Sequence, residues 1–288
     1  MQGIIIKGIA GFYYVKVEEE IYECKARGKF RLGELSPIVG DKVDITVING
    51  KGVIEKIHPR TNKLIRPPVS NVTQAFIVFS IVNPEFSSDL LNKFLILCEF
   101  NNIKVKVCIN KIDLVNEELL TPIKNLLNNT GYELKFLNAK SKIGINELKE
   151  SLKDNITVVC GPSGVGKSTL MNSIAGSNVM KTGDISEKLK RGKNTTRHSE
   201  LIEVAGGFIV DTPGFSSLDL NFIDRYELKD LFPEFYEYNG SCKYSTCVHD
   251  KEPGCEVKKA VEEGNINIER YNFYVDTLNK LSVRRNYK

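Results

Sequence analysis

Gly161-Pro162-Ser163-Gly164-Val165-Gly166-Lys167-Ser168 lies near the middle of the chain and decides how the rest is read. It follows the apolar run Ile156–Cys160 and opens onto Thr169-Leu170-Met171-Asn172-Ser173-Ile174, which reads as a helix. Strand, glycine-rich turn and helix start are the context in which a phosphate-binding loop works. Glycines let backbone N–H groups wrap around phosphate oxygens, and the helix N-terminus adds a dipole of favourable sign. In this reading residues 161–169 cradle the phosphates. Lys167 reaches the β- and γ-phosphates, and the Ser168 hydroxyl ligates Mg²⁺. A glycine-rich turn with no ligand is the bland alternative, and the complete pattern with both flanks argues against it.

A second motif selects the base. Asn110-Lys111-Ile112-Asp113 follows the β-branched run 103–109, as a loop after a buried strand should. The Asp113 carboxylate can accept from the guanine N1–H and exocyclic amine together, a pair that adenine lacks. A site built around that pair rejects the wrong base, because its acceptor is left unpaired. Downstream, Asn138-Ala139-Lys140 has the form of the small loop that backs the base, with Asn138 where Ser is usual. Ordinary GTPases place these motifs after the phosphate loop; here they precede it. Beyond the phosphate loop come Thr195-Thr196 and then Asp211-Thr212-Pro213-Gly214, after the apolar strand Phe208-Ile209-Val210. Asp211 would hold Mg²⁺ through water, and Gly214 would turn its N–H to the γ-phosphate. The polar, basic, aperiodic stretch 181–197 reads as the first switch, ordered by γ-phosphate and Mg²⁺. Every part is present in rotated order, and joining the ends of a sheet and cutting it elsewhere preserves the packed domain.

The third signal is Cys242-x4-Cys247-x-His249-x5-Cys255. Cys242, Cys247, His249 and Cys255 meet the Cys3His requirement of tetrahedral Zn²⁺, and their loop lacks the apolar content to fold alone. Closed coordination points to one structural Zn²⁺; a disulfide or free thiols are the alternatives. The other cysteines, Cys24, Cys98, Cys108 and Cys160, sit in apolar contexts and read as buried reduced thiols. A helix around 266–281, with Tyr271, Tyr274 and Leu278 at helical spacing, reads as core rather than as an RNA platform.

The N-terminus reads as strands at 3–9, 12–17, 20–26, 42–48 and 52–57, a small barrel broken by Gly11, Gly28, Gly40 and Gly50. A connector at 62–69 leads into strands at 73–82, 104–109, 133–137, 156–160, 201–204 and 207–210. Helices are expected at 88–100, 119–128, 145–152 and 167–174, which together give a doubly wound α/β sheet. The expected fold is multidomain α/β: a small β-barrel at 1–66, a circularly permuted P-loop GTPase domain at 67–221, and a zinc-binding α subdomain at 222–288.

The 288 residues carry a net charge of +4, too little by itself to argue for nucleic acid. Residues 1–66 hold 12 Lys+Arg against 8 Asp+Glu and so concentrate the excess. Lys25, Arg27, Lys29 and Arg31, at alternate positions, would share one face, either a solvated edge or a contact for RNA phosphates. Phe12, Tyr13, Tyr14 and Tyr22 are half-buried strand residues or stacking platforms for bases. No long apolar run suits a membrane span and no signal-peptide pattern opens the chain, so a cytoplasmic location is expected.

In its permuted motifs, N-terminal β region and cysteine cluster, the chain resembles the circularly permuted ribosome small-subunit-dependent GTPase A family. That the barrel at 1–66 is an OB-fold is implied by this resemblance rather than by strand spacing. The resemblance also implies hydrolysis of GTP to GDP and phosphate, stimulated by the small ribosomal subunit, with rRNA contacts and a role late in subunit maturation. Partners would be GTP/GDP and that subunit, without a membrane, for a monomeric protein. The alternative is a nucleotide-gated RNA- or ribosome-binding module in which hydrolysis is incidental. One departure concerns the attacking water. Many GTPases carry Gln after Asp-x-x-Gly, and here Phe215 stands there. The family often places His before its Thr-Thr pair, where this chain has Asn194. The catalytic set is therefore expected to be Lys167, Thr196, Asn194 and Gly214, with Ser168, Thr196 and Asp211 on Mg²⁺. His198, four residues beyond Asn194, is the competing candidate.

Overall fold

The computed structural model describes residues 1–30, 36–48, 50–65, 68–176, 200–211 and 219–285, the side chains of 29, 211 and 282–285 excepted. Alternating apolar positions dictate the first unit. Strands β1 (Gln2–Ile9), β2 (Phe12–Val17), β3 (Glu20–Ala26), β4 (Lys42–Ile48) and β5 (Lys51–Ile57) close into a barrel in the order β1-β2-β3-β5-β4. The β3–β5 pair is parallel, and the other neighbours are antiparallel. This is the five-stranded OB arrangement. Period-two alternation points Ile5, Val15, Cys24, Val43, Ile45 and Ile54 inward. Tyr13 and Tyr22 pack against that core, which supports the half-buried reading of these aromatics. Of the alternate basic residues, Lys25 lies on β3 and Arg27 just beyond it, while the Lys29 side chain and Arg31 lie outside the described residues. β3 stops at Ala26, the 3-10 turn Gly28–Phe30 breaks the alternation, and Arg27 is paired with Glu55 at 2.6 Å.

The expected connector is more ordered than a linker. It contains a short ribbon, β6 (Lys63–Leu64) and β7 (Val69–Ser70), tied to the barrel by the fully buried Asp41. Asp41 accepts from Arg60 Nε at 2.6 Å, from Ser70 Oγ at 2.6 Å and from the Ile38 N–H at 2.9 Å. A buried carboxylate is tolerable only with this degree of satisfaction.

The second unit is a sheet in the order β10-β9-β8-β11-β13-β12. Its strands are β8 (Gln74–Ser80), β9 (Lys104–Asn110), β10 (Glu133–Phe136), β11 (Ile156–Cys160), β12 (Leu201–Val204) and β13 (Gly207–Asp211). All pairs are parallel except β12–β13. β8 and β11 are buried along their whole length, as their unbroken apolar runs require. Helices α1 (Ser88–Phe100) and α2 (Glu117–Leu126) contribute Leu91, Phe94, Leu95, Leu120 and Ile123 to the core on one face. Helices α3 (Ile145–Glu150) and α4 (Lys167–Ala175) contribute Ile145, Leu148, Leu170, Met171 and Ile174 on the other. The sheet is doubly wound, as expected.

The C-terminal region comprises 3-10 helices at Leu228–Leu231 and Pro233–Tyr238, then α5 (Glu256–Glu262) and α6 (Ile268–Arg285). Tyr274 and Leu278 are fully buried, so the stripe on α6 is core. That core includes Ile96 and Leu97 of α1, which ties this region to the second unit. Among the described residues no helix is long and apolar enough to cross a membrane.

Candidate nucleotide site and metal centre

β11 delivers its C-terminal end to the loop 161–166, between β8 and β13. Gly161 has φ +136°, and a Cβ there would lie 2.0 Å from the Val78 carbonyl oxygen. Gly166 has φ +95°, and its Cβ would meet Asn110 Nδ2 at 2.5 Å. Neither place admits a side chain, so these glycines are demanded by close approach as well as by conformation. Lys167 Nζ donates to the carbonyls of Gly161 (2.9 Å) and Pro162 (2.7 Å), folding back over its own loop.

The permuted motifs converge on this loop. Asn110, nearly fully buried at the end of β9, donates from Nδ2 to the Val165 carbonyl at 2.8 Å and accepts at Oδ1 from the Ala139 N–H at 2.9 Å. Lys111, in the left-handed conformation at φ 62°, donates from Nζ to the Gly164 carbonyl at 2.7 Å and to the Asn83 carbonyl. Asp113 stands exposed on the 3-10 turn Ile112–Leu114, with a free acceptor edge toward solvent. Asn138 is buried, and its Oδ1 accepts from the N–H groups of Lys140 (3.0 Å) and Ser141 (3.1 Å). The Asn138 amide oxygen thus builds the loop as an Asx turn. Pro162, Ser163, Gly164, Ser168 and Thr169 lie on the loop and first turn of α4, partly or fully open to solvent. Asp211 ends β13, and its backbone pairs with Val159 of β11, next to the phosphate loop. The Asp211 side chain, and all of Asn194, Thr196, His198, Gly214 and Phe215, lie outside the described residues.

The structure also reveals contacts that no motif announces. The loop between β8 and α1 supplies the Asn83 carbonyl to Lys111, and Ser173 of α4 donates to the Ala139 carbonyl. A lone Ser inside a helix carries no sequence signal for such a role.

The four candidate zinc ligands come together. One ligand atom from each of Cys242, Cys247, His249 and Cys255 lies within 4.8 Å of the others. His249 Nδ1 is 3.6 Å from Cys242 Sγ and 3.3 Å from Cys255 Sγ, and the two sulfurs are 3.9 Å apart. Tetrahedral Zn²⁺ with bonds of about 2.3 Å to sulfur and 2.0–2.1 Å to nitrogen places ligand atoms roughly 3.6–3.8 Å apart. The donor set fits zinc, with Nδ1 as the imidazole ligand. Burial pushes the Cys247 thiol up to about 12 and the His249 imidazolium down to about 4. A dication offsets the first tendency and suits the neutral imidazole that the second produces. The backbone of this knuckle is pinned from outside: Tyr271 OH donates to the His249 carbonyl at 2.8 Å, Tyr274 OH to the Val248 carbonyl, and Lys229 Nζ to the Cys247 carbonyl at 3.2 Å. All seven cysteines are free of disulfides, and Cys24, Cys98, Cys108 and Cys160 are buried.

Comparison with known proteins points one way. The RsgA GTPase family model matches residues 57–221, and the RsgA N-terminal domain model matches residues 2–54. The chain is 60% identical over 285 residues to the small ribosomal subunit biogenesis GTPase RsgA of Clostridium perfringens, covering 99% of both. It is 57% identical over 291 residues to the RsgA of Clostridium botulinum, covering 100% of both. Among solved structures it is similar to YloQ, described as a circularly permuted GTPase, with TM-score 0.84, 39% identity and coverage of 98% and 95%. It is also similar to YjeQ from Thermotoga maritima, with TM-score 0.86, 40% identity and coverage of 97% and 98%.

Proposed function

Because this chain belongs to the RsgA GTPase family, we propose that it is a small ribosomal subunit biogenesis GTPase, stimulated by that subunit and contacting its rRNA. It hydrolyses GTP to GDP and phosphate. The observation that carries the nucleotide reading is the convergence of Asn110, Lys111 and the 138–140 loop on the phosphate loop, despite their reversed order in the chain.

In this reading residues 161–169 bind the phosphates, and Asn110, Lys111, Asp113, Asn138, Ala139 and Lys140 form the guanine side. Lys167 releases its loop carbonyls to meet the β- and γ-phosphates. Ser168, Thr196 and Asp211 would hold Mg²⁺, which when bound neutralises charge on the phosphates. Gly214 offers its N–H to the γ-phosphate. Phe215 cannot orient water, so Asn194 does so, as a donor and acceptor that exchanges no proton near neutral pH. The unassisted rate is accordingly slow. Zn²⁺ in the Cys3His site is structural. The units 1–66, 67–221 and 222–288 act together in a monomeric, cytoplasmic protein, the barrel and the zinc subdomain facing rRNA.

The missing glutamine favours a second reading, a module that acts by nucleotide-gated occupancy with incidental hydrolysis. GTP turnover with and without purified small subunits separates the two. Strong stimulation supports the enzyme; equal slow rates support the module.

A further inference from the structure

Ser173 closes a circuit of hydrogen bonds that joins the two halves of the nucleotide site. Its Oγ donates to the Ala139 carbonyl at 2.5 Å. The N–H of the same Ala139 donates to Asn110 Oδ1 at 2.9 Å, and Asn110 Nδ2 donates to the Val165 carbonyl at 2.8 Å. Val165 and Ser173 belong to one continuous loop and helix, so the path returns to its start. A helical serine usually spends its hydroxyl on a carbonyl one turn back in its own helix. This one reaches a loop 34 residues earlier in the chain.

The consequence is geometric. The Ala139 peptide is held on both sides, by the α4 hydroxyl at its oxygen and by the Asn110 amide oxygen at its nitrogen. Without the first bond the base-backing loop loses its direct hydrogen bond to the helix that follows the phosphate loop, leaving the Asn110 bridge and the shared apolar core to set their spacing. A nucleotide bridges the two, since its base sits on one side and its phosphates on the other. Fixing that spacing before binding lowers the cost of ordering at the moment of binding.

We propose that Ser173 is a positioning residue for guanine recognition, holding the base-backing loop in register with the phosphate loop. This rests on the guanine-nucleotide reading above. The test compares Ser173→Ala and the near-isosteric Ser173→Cys with Ser173→Thr, which keeps a hydroxyl. Affinity for fluorescently labelled GDP is measured directly, and affinity for pyrophosphate by competition. Pyrophosphate engages the phosphate loop but has no base to place. Loss of the hydroxyl should weaken GDP binding roughly three- to tenfold, the weight of one net hydrogen bond, with Thr within about twofold of the unmodified protein. Pyrophosphate affinity should not change. Unaltered GDP affinity in both the Ala and Cys variants overturns the proposal. So does equal weakening of GDP and pyrophosphate, which would mean that the hydroxyl supports α4 rather than the base side. If the unmodified protein binds pyrophosphate but not GDP, the guanine reading itself falls, and this proposal with it.

Discussion

In the proposed guanine site Asp113 is the residue on which base choice would turn, and its exposed carboxylate makes a sharp prediction possible. Asp113→Asn presents an amide that can donate where the carboxylate only accepts. Xanthine carries a carbonyl where guanine carries its exocyclic amine, so this variant should bind XDP better than GDP in a competition assay. GDP affinity should fall on the order of 100-fold or more, because the guanine N1–H and exocyclic amine lose their paired acceptor. A second residue-scale prediction concerns the water. Asn194→His should raise the slow unassisted turnover while GDP affinity barely changes, because only transition-state contacts are added. If instead His198→Ala abolishes subunit-stimulated turnover and Asn194→His does nothing, His198 holds the role. At this scale the sequence was most legible where chemistry restricts residue type: a phosphate loop needs its glycines, and a zinc knuckle needs its thiols. It was silent on Ser173 and Asn83, because an ordinary Ser or Asn becomes a site partner only through tertiary placement.

Among the elements, α1 bears two duties. It begins after the loop that supplies the Asn83 carbonyl to Lys111, and its far half gives Ile96 and Leu97 to the C-terminal core. Between them Asn92 accepts from Arg270 Nη1 of α6 at 2.8 Å, while Glu234 grips the same guanidinium at both Nε and Nη2. Arg270 is 1% exposed and Glu234 5%. Arg270→Met should destabilise the protein by about 3–5 kcal/mol, because it strands a buried carboxylate. Adding Glu234→Leu should recover much of that loss in thermal unfolding. Such recovery would mark the pair as a device of register more than of strength. The order of β11, α4, β12 and β13 was legible from apolar runs and glycines. The boundaries of α2 were not: it starts at Glu117, capped by Asn116 Oδ1 on the Leu119 N–H, two residues before the apolar pattern begins. α5 and the β6–β7 ribbon were not expected, and the two-residue strands of the ribbon are too short for any periodicity to declare itself.

For the whole molecule, the C-terminal subdomain is packed against α1 of the second unit. The shared core with α1 adds a constraint: the subdomain can shift only if α1 shifts with it or that core opens. Stripping the metal with a chelator should lower hydrogen-exchange protection across 242–262 and at the α6 contacts of Tyr271 and Tyr274, with GDP still bound. Holding the ion requires deprotonated thiols and neutral imidazole. Zinc retention, followed by a colorimetric chelator, should therefore fall as pH is lowered and not as it is raised. The sheet order has a further meaning, in time rather than space. β8, β9 and β10 are neighbours in the chain and neighbours in the sheet, so this half has its partners as soon as it is synthesised. β11 and β13 are then laid onto its open edge. Asn110 must wait for Val165, 55 residues later, or about 3–11 seconds at 5–20 residues per second. Where the phosphate loop comes first, a nascent chain can grip a phosphate before it can read a base. Here the schedule is inverted: the base-reading half is translated with nothing yet able to hold a phosphate, so nucleotide cannot template the early steps of folding.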